Sequence, residues 1–180
     1  MGNKRVIADA SRCVGCHGCM YACMEKHNVR GDIAKPRLNV VKVGDSQAPI
    51  VCHHCDDAPC AKACPTGALF FDKVNHRIGV NETNCIGCRS CVAACPFGAV
   101  SVTTQTKPAY LGDMPTGTSQ KPFVLKCDLC VDRPGGPACV ETCPVDALRV
   151  VSDDELEDMT RQREDRSIEQ AAVFAGIATA

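Results

Sequence analysis

Sixteen cysteines in a chain of 180 residues constrain the fold more than any hydrophobic pattern does, because they fall into four groups of four with one shared grammar. The first group is Cys13, Cys16, Cys19 and Cys23, and the third is Cys85, Cys88, Cys91 and Cys95, followed by Pro96. Both read C-x2-C-x2-C-x3-C. The second group, Cys52, Cys55, Cys60 and Cys64 with Pro65, lengthens the middle gap to four residues. The fourth, Cys127, Cys130, Cys139 and Cys143 with Pro144, lengthens it to eight.

This spacing has a direct chemical reading. C-x2-C-x2-C lets one loop wrap three corners of an iron-sulfur cubane while its backbone amides point at the sulfurs. Gly15, Gly18 and Gly87 suit so tight a loop. The x3 gap is about one helical turn, which puts the third and fourth cysteines on one face, and the proline then stops the turn. Zinc is the main competing use of C-x2-C pairs, but it takes two pairs across a longer loop, whereas here a third cysteine and x3-C follow each pair. Disulfides fail on compartment. There is no apolar leader after Met1, no opening twin arginine and no apolar run near 18 residues, so the expectation is a soluble, cytoplasmic chain without a membrane span. Thiols stay reduced there. Val6 stands where myristoylation of Gly2 needs Ser or Thr. The sixteen cysteines are thus read as iron ligands of four 4Fe-4S clusters.

In bacterial ferredoxin runs the fourth cysteine ligates the other cluster of a pair, so the motifs must work two at a time. Connection lengths favour one pairing: 28 residues separate the first and second groups and 31 the third and fourth, but only 20 separate Cys64 from Cys85. The middle groups then form a module, leaving the outer groups to each other. The expected ligand sets are Cys13, Cys16, Cys19 with Cys143; Cys52, Cys55, Cys60 with Cys95; Cys85, Cys88, Cys91 with Cys64; and Cys127, Cys130, Cys139 with Cys23. Ala68 to Asp72 and Arg77 to Val80 read as two short strands around a Lys73 to His76 turn. The fold class is α+β, with two ferredoxin-like modules in nested connectivity: residues 1–50 and 101–151 outside, 51–100 inside, and a helical tail over 152–180.

The stretch from Ser101 to Lys126, rich in Thr, Pro and Gly, reads as a long surface connection or lid. Ser152 with Glu155 forms a capping box that should open a charged helix to about Arg166, and Ser167 with Gln170 repeats it before Ile168, Ala171, Ala172 and Phe174. The apolar fraction of 45% counts cysteine; without it roughly 36% remains, a thin core for this size, so clusters must replace core side chains and the apo-chain should be largely unfolded. The formal charge of −1 falls to about −9 with four clusters of about −2 each, which argues against a nucleic-acid partner. No G-x-G-x-x-G after a strand and no Walker pattern supplies a nucleotide site, and four cysteines on each cluster leave no open iron, so the chemistry is transfer rather than catalysis. His17, His53 and His54 read as loop residues filling space beside sulfur.

Taken together, the opening Arg5 to Asp9, the Cys52 to Cys60 segment with Asp57-Ala58-Pro59, and Lys126-Cys127-Asp128-Leu129-Cys130 through Gly136-Pro137-Ala138-Cys139 resemble a known family. They are similar to the four-cluster polyferredoxin subunits of formate hydrogenlyase, carbon monoxide dehydrogenase, tungsten aldehyde oxidoreductase and molybdopterin oxidoreductase systems. The resemblance implies the same nested pairing and a wire of four clusters. It further implies an electron-transfer subunit between a tungsten- or molybdenum-pterin catalytic subunit, oxidising aldehyde or formate, and a flavin (NAD-linked), hydrogenase or ferredoxin partner. The tail could join copies of the chain in series. The alternative is an iron-sulfur maturation factor or redox sensor for such an enzyme.

Overall fold

The computed structural model describes residues 3–27, 35–174 and 176. The described chain ends are joined first. Strand β1 (Arg5–Ala8) pairs antiparallel with β8 (Leu148–Val151), Arg5 opposite Val151 and Ala8 opposite Leu148. Val6, Leu148 and Val151 point into the interior from this ribbon, each at most 3% exposed. Between these strands the order is α1 (Gly18–Lys26), β2 (Asn39–Val43), β3 (Ser46–Ile50), α2 (Pro59–Lys62), β4 (Leu69–Asp72) and β5 (Arg77–Val80). A 3-10 turn over Glu82–Asn84, α3 (Ser90–Ala94), β6 (Ser101–Leu111), β7 (Met114–Leu125) and α4 (Ala138–Glu141) follow. Helix α5 (Asp153–Phe174) comes after β8. The strands make two-stranded antiparallel ribbons, β1 with β8, β2 with β3, β4 with β5 and β6 with β7.

Two hydrophobic cores result. The first joins Val6, Leu38, Val51, Leu129 and Leu148 to the buried Cys23 and Cys139. The second joins Ala58, Leu69, Ile78, Val100 and Val124 to Cys60 and Cys91. Cysteine is thus a core residue in both, as the thin apolar composition requires. The base of the β6–β7 ribbon packs on the second core through Val102 and Val124.

Each of α1 to α4 carries the third cysteine of a motif, and proline sets its length. Pro65, Pro96 and Pro144 follow the fourth cysteines of three motifs, and α2, α3 and α4 run four, five and four residues. Met24 stands at that place in the first motif, and α1 runs nine residues to Lys26. Proline would remove an intrahelical donor and clash with the preceding turn, so its absence lets the helix continue.

The expected strand at Arg77–Val80 is present as drawn, and its partner starts one residue later than Ala68, at Leu69. Ser101 to Lys126 is not an irregular connection. It is a long hairpin whose strands face each other from Ser101 and Leu125 to Leu111 and Met114. Alternating β-branched residues such as Val102, Thr104 and Thr106 favour the ribbon, and Gly112 at φ 62° with Asp113 closes it in a two-residue turn. Pro108 and Pro122 do not break the hairpin, since proline is tolerated on an edge strand and a two-stranded ribbon is all edge.

The tail helix begins as expected. Ser152 N–H donates to Glu155 Oε2 at 2.7 Å and the Glu155 amide donates to Ser152 Oγ at 3.3 Å. It does not stop near Arg166. Ser167 turns its hydroxyl back onto the Arg163 carbonyl at 2.9 Å instead of capping a second helix, so α5 runs through it. None of the residues of α5 is buried. Among the described residues no helix is long and apolar enough to cross a membrane.

Candidate functional site

The four motifs lay their loops in two local ways. In the first and third, a glycine at φ 67° (Gly15) or 74° (Gly87) precedes the second cysteine, and a left-handed His17 or Arg89 opens the helix that holds the third. A Cβ on Gly87 would come within 2.8 Å of Pro122, so side chains other than hydrogen are excluded twice over, by backbone and by space. Between their first two cysteines the second and fourth motifs have no glycine, and they reach the left-handed region at His54 in one and at Leu129 and Cys130 in the other.

These loops bring cysteines of different motifs together. Cys13, Cys16 and Cys19 share a small apolar-walled cavity with Cys143, which β8 delivers from the far end of the chain. Cys85, Cys88 and Cys91 share another with Cys64, which the β4–β5 ribbon brings back. Cys55 and Cys60 both feel the negative charge of Cys52 and Cys95. The charges of Cys23, Cys130 and Cys19 bear on Cys139, and those of Cys52 and Cys139 on Cys127. Cys16 and Cys88 are the exposed cysteines; Cys23, Cys52, Cys60, Cys91, Cys130 and Cys139 are buried.

The donor chemistry fits an iron-sulfur group. Burial is the main force on the interior thiols and pushes Cys19 and Cys60 up to about 11, Cys139 up to about 12 and Cys127 strongly upward. Such thiols ionise only against a compensating positive charge, which iron supplies. Amide donors already aim at sulfur: Arg37 at Cys23 (3.3 Å), Leu129 at Cys127 (3.4 Å) and Ala147 at Cys143 (3.2 Å). His54 adds an orphan. The Ile78 amide donates to its Nδ1 at 3.0 Å, so the ring proton sits on Nε2, which is buried with no protein partner. An unpaired buried donor costs about 1–3 kcal/mol, and a sulfur-rich group beside the Cys52 to Cys55 loop would relieve it.

The histidines differ from one another. His17 is exposed and contacts Met20 Sδ at 3.2 Å, and His53 stacks on Phe97 with ring centroids 4.0 Å apart. His54 is wholly buried, and burial, then the nearby Lys126 and Arg77 charges, depress it to about 2. It is a fixed neutral ring in a hydrogen-bond network, which is more than a space-filling loop residue.

Sequence reasoning passed over several charged residues. His27, Asp128 and Cys130 bring their ligand-type atoms within 4.8 Å of one another. Burial opposes a charge on His27, yet the Asp128 carboxylate 3.4 Å away and the nearby Cys130 and Cys23 sulfurs raise it to about 11. Asp128 is held well below the carboxylate range despite burial, by His27 and by Arg37, whose guanidinium donates to it at 2.6 Å. Lys126, which carries no motif role in the sequence, is with His54 a fully buried polar residue among the described residues.

Comparison with known proteins points to the same iron-sulfur chemistry. A 4Fe-4S dicluster domain matches residues 43–153, and a 4Fe-4S binding domain matches residues 10–25. Electron transport protein HydN of Escherichia coli is 38% identical over 172 residues, covering 92% of this chain and 97% of that protein. Formate hydrogenlyase subunit 2 of the same organism is 35% identical, covering 89% of this chain and 88% of that one. A longer relative, AegA, is 41% identical, and the chain spans only 25% of its length. The chain belongs to the 4Fe-4S dicluster family, the polyferredoxin electron-transfer subunits of formate-hydrogenlyase-type complexes.

Proposed function

We propose that the chain relays single electrons through four 4Fe-4S clusters, as the wire of a larger oxidoreductase. Bound in these loops, each cluster supplies a one-electron site with its four irons already ligated. The ligand sets are Cys13, Cys16, Cys19 and Cys143; Cys52, Cys55, Cys60 and Cys95; Cys85, Cys88, Cys91 and Cys64; and Cys127, Cys130, Cys139 and Cys23. The observation that carries this reading is the exchange of fourth cysteines: Cys143 beside the first motif and Cys64 beside the third. The proximity of Cys52 to Cys127 supports a continuous order, with the Cys13 and Cys85 loops at its two ends.

What the protein does in this reading is hold, insulate and orient. Apolar residues such as Val40, Leu148, Leu69 and Val124 wall the terminal sites, while Val14 and Ile86 stay exposed at the loop tips where a partner can approach. The partners are a tungsten- or molybdenum-pterin catalytic subunit oxidising aldehyde or formate, and a flavin, hydrogenase or ferredoxin acceptor, in the cytoplasm. The two relatives of near-equal length, named an electron transport protein and a formate hydrogenlyase subunit, support an assignment of this kind.

Anaerobic purification from the source organism tests it. The expected result is about sixteen irons and sixteen acid-labile sulfides per chain, cubane signals on reduction, and a pterin-bearing protein copurifying in fixed ratio. Two clusters' worth of iron would overturn the four-cluster assignment, and a partner present only in traces would favour a maturation or sensing role.

A further inference from the structure

Lys126 lies between the two cores with 1% of its surface exposed. Its Nζ donates to the Ile78 carbonyl at 2.8 Å and to the Cys127 carbonyl at 2.9 Å, and it lies 3.3 Å from His54 Nδ1, whose one lone pair also faces the Ile78 amide. An ammonium has donors only, and the two carbonyls hold it in place. Ile78 and His54 belong to the second core's side of the molecule and Cys127 to the loop of the fourth motif. Burying an ammonium is costly, and replacing a buried ion by an apolar residue of similar volume is often neutral or stabilising. Stability alone therefore gives little reason for a lysine here. Its position gives another. Its Nζ is hydrogen-bonded to the Cys127 backbone and sits against His54 in the loop between Cys52 and Cys55, and its charge bears on both Cys60 and Cys127.

We propose that Lys126 is a fixed buried cation at the junction of the second and fourth cysteine motifs, raising the reduction potentials of the clusters held by Cys52, Cys55 and Cys60 and by Cys127, Cys130 and Cys139. One-electron reduction adds a negative charge to a site, and a nearby ammonium in a water-poor interior stabilises that charge far more than a surface lysine does. The terminal groups lie at the exposed Cys16 and Cys88 loops and feel it less. Lys126 acts through the field and touches no substrate; it is a positioning and tuning residue.

The inference rests on the four-cluster reading above, and the experiment separates the two. Potentiometric titration of the anaerobically purified full chain, followed by electron paramagnetic resonance, is run on the wild type and on Lys126→Met, Lys126→Gln and Lys126→Arg. Wild-type protein without cubane signals sinks the four-cluster reading itself, and this inference with it. With clusters present, both neutral variants should show two of the four couples harder to reduce. At fixed solution potential the reduced-to-oxidised ratio should fall about tenfold, equal to about 59 mV for one electron. Lys126→Arg should remain close to wild type. No shift in any couple, an equal shift in all four, or loss of iron in both neutral variants while the arginine variant loads normally would each overturn the proposal, the last by making Lys126 a structural strut.

Discussion

The two cores solve one packing problem with very different chain separations. Each closes with a four-residue antiparallel ribbon beside two short helices, and each buries two cysteines among aliphatic side chains. In the second core the ribbon joins Leu69 to Val80 through a turn; in the first it joins Arg5 to Val151 across almost the whole chain. Loop-closure entropy and contact order both set the first core later in folding and closer to the margin. Proline punctuation differs as well: both helices of the second core are stopped, whereas the first core has the unstopped α1.

Stripping the iron is the strongest way to press on this difference. With Cys23, Cys139, Cys60 and Cys91 in the cores, removing iron leaves buried thiols around empty space, and the folded state should be lost. Under gradual chelation, hydrogen exchange should show β1 and β8 losing protection before β4 and β5. Simultaneous loss would mean that the cores behave as one cooperative unit. Leu148→Ala and Leu69→Ala probe the same point with the iron in place. Both side chains are at most 3% exposed, and each truncation should remove about 2–5 kcal/mol. The comparison predicts that Leu148→Ala loosens β1 and β8 alone, read by the same exchange measurement. A smaller effect tests the helices: Met24→Pro should break α1 one residue after Cys23, costing about 3 kcal/mol in denaturant unfolding. An unchanged midpoint would remove proline from the account of helix length.

How far the sequence carried depends on the range of each cause. The Arg77–Val80 strand, its partner and the Ser152–Glu155 cap depend on neighbours within a few residues, and they were legible. Cysteine spacing is equally local, and it made the iron-sulfur chemistry plain. The β6–β7 ribbon was missed because Pro108 and Pro122 look like breakers unless one knows that both strands are edges. The run through Ser167 was missed because a serine that can cap a helix can equally bond back to the carbonyl of Arg163. Lys126 and the His54 ring carried no local signal, since a lysine or histidine beside a cysteine motif reads as surface until the other core closes over it. The β1–β8 pairing lay beyond any local pattern, because its two strands are separated by almost the whole chain.

Helix α5 belongs to neither core, and the smallest predicted effect on folding sits there. Its tie to the body is the Arg5–Asp153 ion pair with a contact from Arg149 to Met159 Sδ at 3.4 Å. A partly exposed pair of this kind contributes on the order of 1 kcal/mol or less. Ile168 (68% exposed), Val173 (66%) and Phe174 (93%) meanwhile find no cover among the described residues. Deleting residues 153–180 should leave iron content unchanged and lower the unfolding midpoint only slightly. If the helix docks on a partner or on another copy, sedimentation of the native complex should show it falling apart after the same deletion. A truncated chain that keeps its full assembly would confine the helix to solvent, and one that loses iron would show that α5 supports the first core through Arg5.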